Sequence, residues 1–134
     1  VYDSPANTFV ASFIGSPAMN MIEGIVDTNK TGFHLEVNNA HLPLPKLPEL
    51  MKGQKIIAGV RPENLIPSKS GIPAKIAVVE PTGSETHLLL RGNDQDLTCV
   101  LRERRDFMPG QEVTLAAKQD GIHIFDQQSK LRIN

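Results

Sequence analysis

The sequence predicts an all-β fold, a barrel or a sandwich, preceded by one short N-terminal α-helix. After Asn20 the chain consists of short alternating or apolar runs separated by Gly, Pro, Asn and Asp, which is typical of strands and turns. Residues 52–65 also align without a gap on residues 109–122. A repeat of this kind predicts two related half-barrels, and the alternative is a chance similarity between two β-rich segments.

The predicted helix covers about residues 5–14. Ser4 is a suitable N-cap, Phe9 and Phe13 lie one turn apart, and Pro17 prevents continuation. A three-turn helix is marginal alone in water, so its apolar face must pack against another part of the protein. Because the chain also begins without Met, we expect it to be excised from a longer protein.

Eight strands are predicted from the apolar periodicity, and they cover residues 21–27, 32–37, 55–61, 73–80, 86–92, 96–102, 112–118 and 121–125. Residues 27–32 and 119–121 are predicted as hairpin turns, because Asn, Asp and Gly tolerate turn geometries. Residues 41–48 contain alternate prolines, which remove hydrogen-bond donors from a sheet. This segment is therefore predicted to be a crossing connector and not a central strand.

In both copies of the repeat, a Gly-Gln pair precedes a strand, and the strand ends with the pattern base-x-acid. These two residues are Arg61 and Glu63 in the first copy, and Lys118 and Asp120 in the second. A strand-turn-strand unit precedes each copy. The chain is therefore predicted to build the same supersecondary unit twice.

The bulk composition disfavours several classes of function. A formal net charge of −1 over 134 residues provides no field that would gather a polyanion, which disfavours bulk nucleic-acid binding. No run approaches the length of a membrane span, and the first residues do not resemble a signal peptide. A single cysteine, Cys99, suits a reducing compartment, and it shares a strand face with Leu97 and Leu101. Cys99 is therefore predicted to be an inert core residue.

Neither nucleotide nor metal chemistry is predicted within this chain. The phosphate-binding pattern Gly-x-x-x-x-Gly-Lys-Ser/Thr does not occur, and no Ser, His and acid grouping has the setting of a catalytic triad. The four histidines, His34, His41, His87 and His123, do not pair at metal-ligand spacing. His34 with Glu36, and His87 with Glu85, are predicted to occupy solvated strand faces. We therefore predict no catalytic, cofactor-binding or metal-ligating residue.

Three loops remain as candidate interaction sites. At Arg61-Pro62-Glu63 the functional interpretation is a charged docking corner, and the alternative is a surface ion pair worth at most about 1 kcal/mol. The Gly83-Ser84 backbone could hold a small anion, although Glu80 and Glu85 oppose this, and an empty hairpin turn is favoured. Residues 102–106 form a charge run that is predicted to be a solvated loop.

Four segments resemble one known family, and together the resemblance covers nearly the whole chain. Residues 2–20 resemble the helix and exit segment that end a nucleotide-binding domain, and residues 59–63, 79–85 and 122–126 resemble later signatures. The last has Ile124 where Leu is usual. The family is that of ATPase subunits of bacterial ABC sugar importers, which includes the maltose and glycerol-3-phosphate importers.

The resemblance implies that residues 1–20 are the end of an absent nucleotide-binding domain and that residues 21–134 are a regulatory domain of the OB-like, or TOBE, type. It implies no nucleic-acid binding and no cofactor in this chain, whereas the longer parent would bind ATP and Mg. Its implied partners are a second ATPase subunit, the membrane subunits and an inhibitory regulator protein, at the cytoplasmic face of the plasma membrane. We predict that a regulatory or dimer surface involves loop contacts by Arg61, Glu63, Ser84 and Glu85, together with packing by Phe125.

Two other functions remain open from the sequence. One is a module that senses a small anion or a sugar phosphate at Gly83-Ser84. The other is a free-standing nucleic-acid-binding barrel, against which the near-neutral charge argues. An isolated hydrolase or transferase is the weakest interpretation.

Overall fold

The structure is a computed structural model that describes residues 18–30, 32–102 and 106–134. These residues form ten β-strands and two 3₁₀ turns, Pro62–Asn64 and Gln119–Gly121, which we call the first and second crossing turns. The strands are β1 Asn20–Asn29, β2 Gly32–Val37, β3 Ala40–Pro43, β4 Lys55–Val60, β5 Leu65–Ser68, β6 Ile72–Thr82, β7 Glu85–Gly92, β8 Gln95–Leu101, β9 Glu112–Ala117 and β10 Ile122–Asp126. The all-β class is therefore confirmed.

The ten strands form two five-stranded antiparallel sheets that exchange one strand. The first sheet has the order β10-β4-β1-β2-β3, and the second has the order β5-β9-β6-β7-β8. Each sheet thus contains four consecutive strands from one half of the chain and a fifth strand from the other half. The first crossing turn carries the chain from β4 into the second sheet, and the second crossing turn carries it from β9 back into the first. The exchange joins the two halves into one unit.

The registers of the two sheets confirm the internal repeat. Ile25 lies opposite Lys55 in the first sheet, and Lys75 lies opposite Glu112 at the corresponding place in the second. The hydrogen bonds before each repeated strand also match. The Val26 N–H donates to the Gln54 carbonyl at 2.9 Å, and the Ile76 N–H donates to the Gln111 carbonyl at 2.9 Å. The two predicted half-barrels are therefore present as one fold built twice.

The hairpin turns at the ends of the two sheets also correspond. Asn38 and Asn39 join β2 to β3 with positive φ angles, and Asn93 and Asp94 join β7 to β8 in the same way. Asn and Asp tolerate this left-handed region better than other side chains, which explains their presence in both turns. The Asn38 Nδ2 donates a hydrogen bond to the Asn93 Oδ1, so the two equivalent turns contact each other.

One apolar cluster lies between the sheets and draws side chains from both. Its fully buried members include Ile22, Leu35, Leu42, Ile56, Leu65, Ile72, Ile76, Leu88, Leu90, Leu97 and Leu115. Burial of each large side chain contributes about 1.5–3 kcal/mol, so this shared core holds the sheets together. Cys99 is 1% exposed and lies in the same cluster, as predicted.

Three predictions of secondary structure need correction. Residues 40–43 form the edge strand β3, so only the later part of segment 41–48 is a connector. The short strand β5 was not predicted at all. The predicted hairpin at 119–121 is wrong, because β10 pairs with β4 and not with the preceding strand β9.

The predicted hairpin at 27–32 is confirmed, since β1 pairs with β2 directly across it. The predicted helix over residues 5–14 lies outside the described residues, so it stays a prediction. The predicted boundary between residues 20 and 21 falls between the first two residues of β1, and the division into two domains stays a prediction. In the part of the chain that the structure describes, no helix is long and apolar enough to cross a lipid bilayer.

Candidate regulatory surface

The first crossing turn separates its two predicted site residues. Arg61 precedes the turn and is only 3% exposed, whereas Glu63 lies within the turn and is exposed. Pro62 begins the turn, and the Asn64 N–H donates to the Arg61 carbonyl at 2.8 Å. Arg61 is therefore not part of an exposed docking corner. Only Glu63 of this pair is available at the surface.

The two crossing turns pack against each other. The Lys118 N–H donates to the Asn64 carbonyl at 2.9 Å. A Cβ atom placed on Gly121 would lie 2.6 Å from the Asn64 Nδ2, so any larger residue at this contact would force the Asn64 side chain to shift. This close approach holds Glu63 and Lys118 on the same side of the molecule, where both line one groove.

This groove lies between β5 and β8, and we call it the β5–β8 groove. Its volume is about 440 Å³, and its lining residues are Glu63, Ile66, Pro67, Val100, Leu101, Arg102 and Lys118. The floor is apolar, and the rim has two cations and one carboxylate. Glu63 is recognisable in the sequence as part of a charged loop, but the groove is not, because its walls come from strands that are distant in sequence.

The Gly83-Ser84 turn is an exposed two-residue hairpin turn between β6 and β7, as predicted. Gly83 has a φ of +64°, which favours glycine, and Ser84 is exposed. The Glu85 Oε1 lies 3.4 Å from the His87 Nε2, and its Oε2 lies 3.7 Å from the Arg102 Nε. Glu85 is therefore half-buried between two bases.

Phe125 is fully buried, in agreement with its predicted packing role. It forms a second, smaller apolar cluster with Met19 and Ile57, and Met21 packs against that cluster. Because Ile57 and Phe125 lie opposite each other in the β4–β10 pair, their side chains share one face of the first sheet. Phe125 thus stabilises this sheet from within and does not reach the surface.

A histidine pair that the sequence does not predict lies on the first sheet. His34 is 6% exposed, so its predicted position on a solvated face is wrong. Its ring centroid lies 4.3 Å from that of His41, and its Nε2 lies 3.8 Å from the Asp27 Oδ2. Diagonal contact across β2 and β3 brings the two rings together, which spacing along one strand could not reveal. Within the described ranges, no three His, Cys, Asp or Glu side chains are placed to hold a metal ion.

Two family models match the chain and together cover most of it. The model of the MalK OB fold domain matches residues 15–65, and the model of the TOBE domain matches residues 58–125. The two matches overlap at residues 58–65, which contain the first crossing turn. The duplicated all-β architecture agrees with this OB/TOBE-like assignment.

Curated relatives match nearly the whole chain. An ABC transporter ATP-binding protein of Sinorhizobium fredii is 39% identical over 133 residues, which cover 99% of this chain and 36% of that protein. An ATP-binding protein of Brucella abortus is 37% identical, with 98% and 37% covered. An ABC transporter ATP-binding protein of Escherichia coli O157:H7 is 36% identical, with 99% and 38% covered. The chain thus spans somewhat more than a third of the length of these relatives. It belongs to the TOBE domain family, and its relatives are ABC transporter ATP-binding proteins.

Proposed function

We propose that this chain is the C-terminal regulatory and dimerisation domain of the ATP-binding subunit of an ABC importer for sugars or glycerol-3-phosphate. The observation that carries the proposal is the match of 98–99% of the chain to about 36–38% of several ABC transporter ATP-binding proteins. The match to the MalK OB fold domain supports a regulatory domain in place of a catalytic one. ATP and Mg are then bound by the remaining part of the parent protein.

The proposed mechanism is mechanical. Two copies of the parent pair through these domains, so the ATPase domains close on ATP and reopen after hydrolysis without separating. Such a tether raises the local concentration of one ATPase domain near the other to roughly the millimolar range. The parent lies in the cytoplasm at the inner face of the plasma membrane, where its ATPase domain contacts the membrane subunits. An inhibitory regulator protein is a further proposed partner of this domain.

Exposure decides which predicted residues can contribute direct contacts to this surface. Glu63 and Ser84 are exposed, and Glu85, which follows Ser84, is partly exposed. Arg61 and Phe125 are buried, so they support the surface only by fixing the first crossing turn and β10. We therefore assign direct contacts to Glu63, Ser84 and Glu85.

The test measures ATP hydrolysis by the parent protein as a function of its concentration. The intact parent is expected to keep a constant rate per subunit on dilution, because the tether holds the pair together. A parent truncated after residue 20 is expected to lose its rate per subunit on dilution and to recover it at high concentration. Equal dilution behaviour of the two proteins contradicts the proposed tether. A parent with Lys30→Glu, a change of an exposed turn residue, is the control.

A further inference from the structure

The C-terminal residues form an additional strand on the free edge of β10. The Ile133 N–H donates to the Ile124 carbonyl at 2.7 Å, and the Ile124 N–H donates to the Asn134 Oδ1 at 2.7 Å. A bridge between Phe125 and Arg132 completes this pairing. The edge of the first sheet is therefore covered by a short extended segment of the chain itself.

The internal repeat places a corresponding edge in the second sheet. β5 follows the first crossing turn as β10 follows the second, and Pro67 corresponds to Ile124 because each is the third residue of its strand. The β5–β8 groove lies along this edge, since Pro67 and Ile66 line it. Residues 131–134 cover the outer edge of β10, whereas the β5–β8 groove lies along the corresponding edge of β5.

The opposite wall of the groove offers backbone hydrogen-bonding groups. The Thr98 N–H donates to the Asn20 Oδ1 at 2.8 Å, and the Thr98 carbonyl accepts from the Asn20 Nδ2 at 2.9 Å. The N–H and C=O groups of Thr98 therefore point away from β7. Val100 lies two residues further along β8, so its N–H and C=O point to the same side as those of Thr98. Because Val100 lines the groove, these groups are placed to pair with an added strand.

The side chains around the groove define the chemistry of the segment that fits. Ile66 and Leu101 provide apolar contact. The lining contains two bases, Lys118, which is exposed, and Arg102, whose side chain is 86% exposed. It contains one acid, Glu63. Because Arg102 also faces Glu85 at 3.7 Å, Lys118 is the cation that most directly favours a carboxylate at a rim-facing position of the segment.

We propose that the β5–β8 groove binds an extended, acidic peptide segment of another protein by backbone pairing along β8. Pro67 has no N–H, so β5 contributes only carbonyl groups at this position and β8 carries most of the pairing. Alternate apolar side chains of the peptide contact the floor, and its carboxylates face Lys118. The groove is formed within one chain, so this inference does not require the proposed dimerisation, although Glu63 belongs both to the groove lining and to the proposed contact surface.

The test uses the 134-residue chain and the synthetic peptide acetyl-Glu-Val-Glu-Ile-Glu-Leu-amide, with binding measured by titration calorimetry and amide exchange. We expect saturable binding and slower exchange of the Val100 amide on binding, since an added strand accepts its hydrogen bond. We expect Lys118→Glu to weaken binding by roughly fivefold, because an exposed attraction becomes a repulsion. Lys30→Glu makes the same charge change in the β1–β2 turn, away from the groove lining, and is expected to bind as the unchanged chain does.

A peptide N-methylated at alternate residues separates backbone pairing from simple apolar contact, and it is expected to bind much more weakly. Equal binding of the methylated peptide, or unchanged exchange of the Val100 amide, overturns the proposal. Equal affinity of the Lys118→Glu and Lys30→Glu variants overturns it as well. A further contradicting outcome is a chain that is dimeric in solution and whose Val100 amide is already protected before peptide is added. That result would show that a second copy of the chain occupies the groove. Thermal unfolding of both variants verifies that each is folded.

Discussion

The side chain of Asn20 forms two hydrogen bonds with the backbone of Thr98, and these bonds join the beginning of the first sheet to the free edge of the second. The Asn20 Nδ2 also donates to the Val60 carbonyl at 3.1 Å. Asn20 is 5% exposed, so water does not replace these bonds easily. One buried amide thus holds strand β8 against both β1 and β4.

Replacement of Asn20 by Ala is expected to reduce the free energy of unfolding by about 3 kcal/mol, because it leaves several buried backbone groups without partners. Urea denaturation monitored by circular dichroism measures the change. Thr28→Ala, at an exposed position of the same strand, is expected to change stability by less than about 0.5 kcal/mol. A similar small change for Asn20→Ala would contradict the role assigned to this side chain.

The contact between the crossing turns predicts an effect at Gly121. A Cβ atom at this position would lie 2.6 Å from the Asn64 Nδ2 and 2.9 Å from the Asn64 Cβ. Gly121→Ala is therefore expected to cost about 1–3 kcal/mol of stability through overpacking. The measurement is the urea midpoint of the variant at constant m-value.

A double-mutant cycle provides the control for this prediction. Asn64→Gly removes the atoms that the new methyl group would meet. We expect Gly121→Ala to cost less in the Asn64→Gly background than in the unchanged chain. Strict additivity of the two substitutions would show that the turns do not contact each other as described.

The burial of Cys99 predicts a slow thiol reaction. Desolvation raises the pKa of the Cys99 thiol to about 12. At about pH 8 the thiolate fraction is then roughly a thousandfold below that of an exposed thiol, and access is blocked as well. Ellman's reagent is expected to react with Cys99 slowly in the folded chain and rapidly in denaturant. Comparable rates in the two conditions would contradict a core position.

The same shift predicts a loss of stability at alkaline pH. The pKa of Cys99 is higher in the folded chain than its ordinary value of 9.0, so its contribution is complete below about pH 9 and declines as the pH rises towards 12. Cys99→Ser is expected to decrease the slope of stability against pH in this range. An unchanged slope would show that Cys99 ionises equally in both states.

Asp126 predicts the opposite pH dependence. The pKa of the Asp126 carboxyl lies below its ordinary value of 3.8 because Ser129 donates hydrogen bonds to it. The largest effect comes from the Ser129 backbone N–H, which lies 2.7 Å from the Asp126 Oδ2. The contribution of Asp126 is therefore present above its ordinary pKa and is lost as the pH falls below it. Asp126→Asn is expected to show a smaller loss of stability than the unchanged chain between about pH 6 and pH 3. Urea midpoints at both pH values measure this, and parallel losses would contradict it.

Local pattern predicted most of the strands, because alternating burial repeats every two residues along a strand. The prediction failed where distant segments decide the outcome. β5 has only four residues, and it forms because β9 pairs along its whole length. Residues 119–121 have the composition of a hairpin turn, but β4 and the C-terminal residues flank β10, so the chain crosses to the other sheet.

The candidate surface was less predictable for the same reason. Glu63 and Ser84 were identified because charged and Gly-rich loops are visible in sequence, and both are exposed. The burial of Arg61 and His34 depends on neighbours from other strands, so no local pattern could reveal it. The β5–β8 groove combines residues from both copies of the repeat, and it becomes visible only when the strand exchange is known.

The most direct test of the proposed tether is sedimentation velocity of the nucleotide-free parent protein, intact and truncated after residue 20. We expect the intact parent to sediment as a dimer at a concentration where the truncated protein sediments as a monomer. Glu63→Lys together with Glu85→Lys is expected to shift the intact parent towards monomer, whereas Lys30→Glu is not. If the intact and truncated proteins are both monomeric, or both dimeric, at that concentration, the result would contradict a dimerising role for this domain.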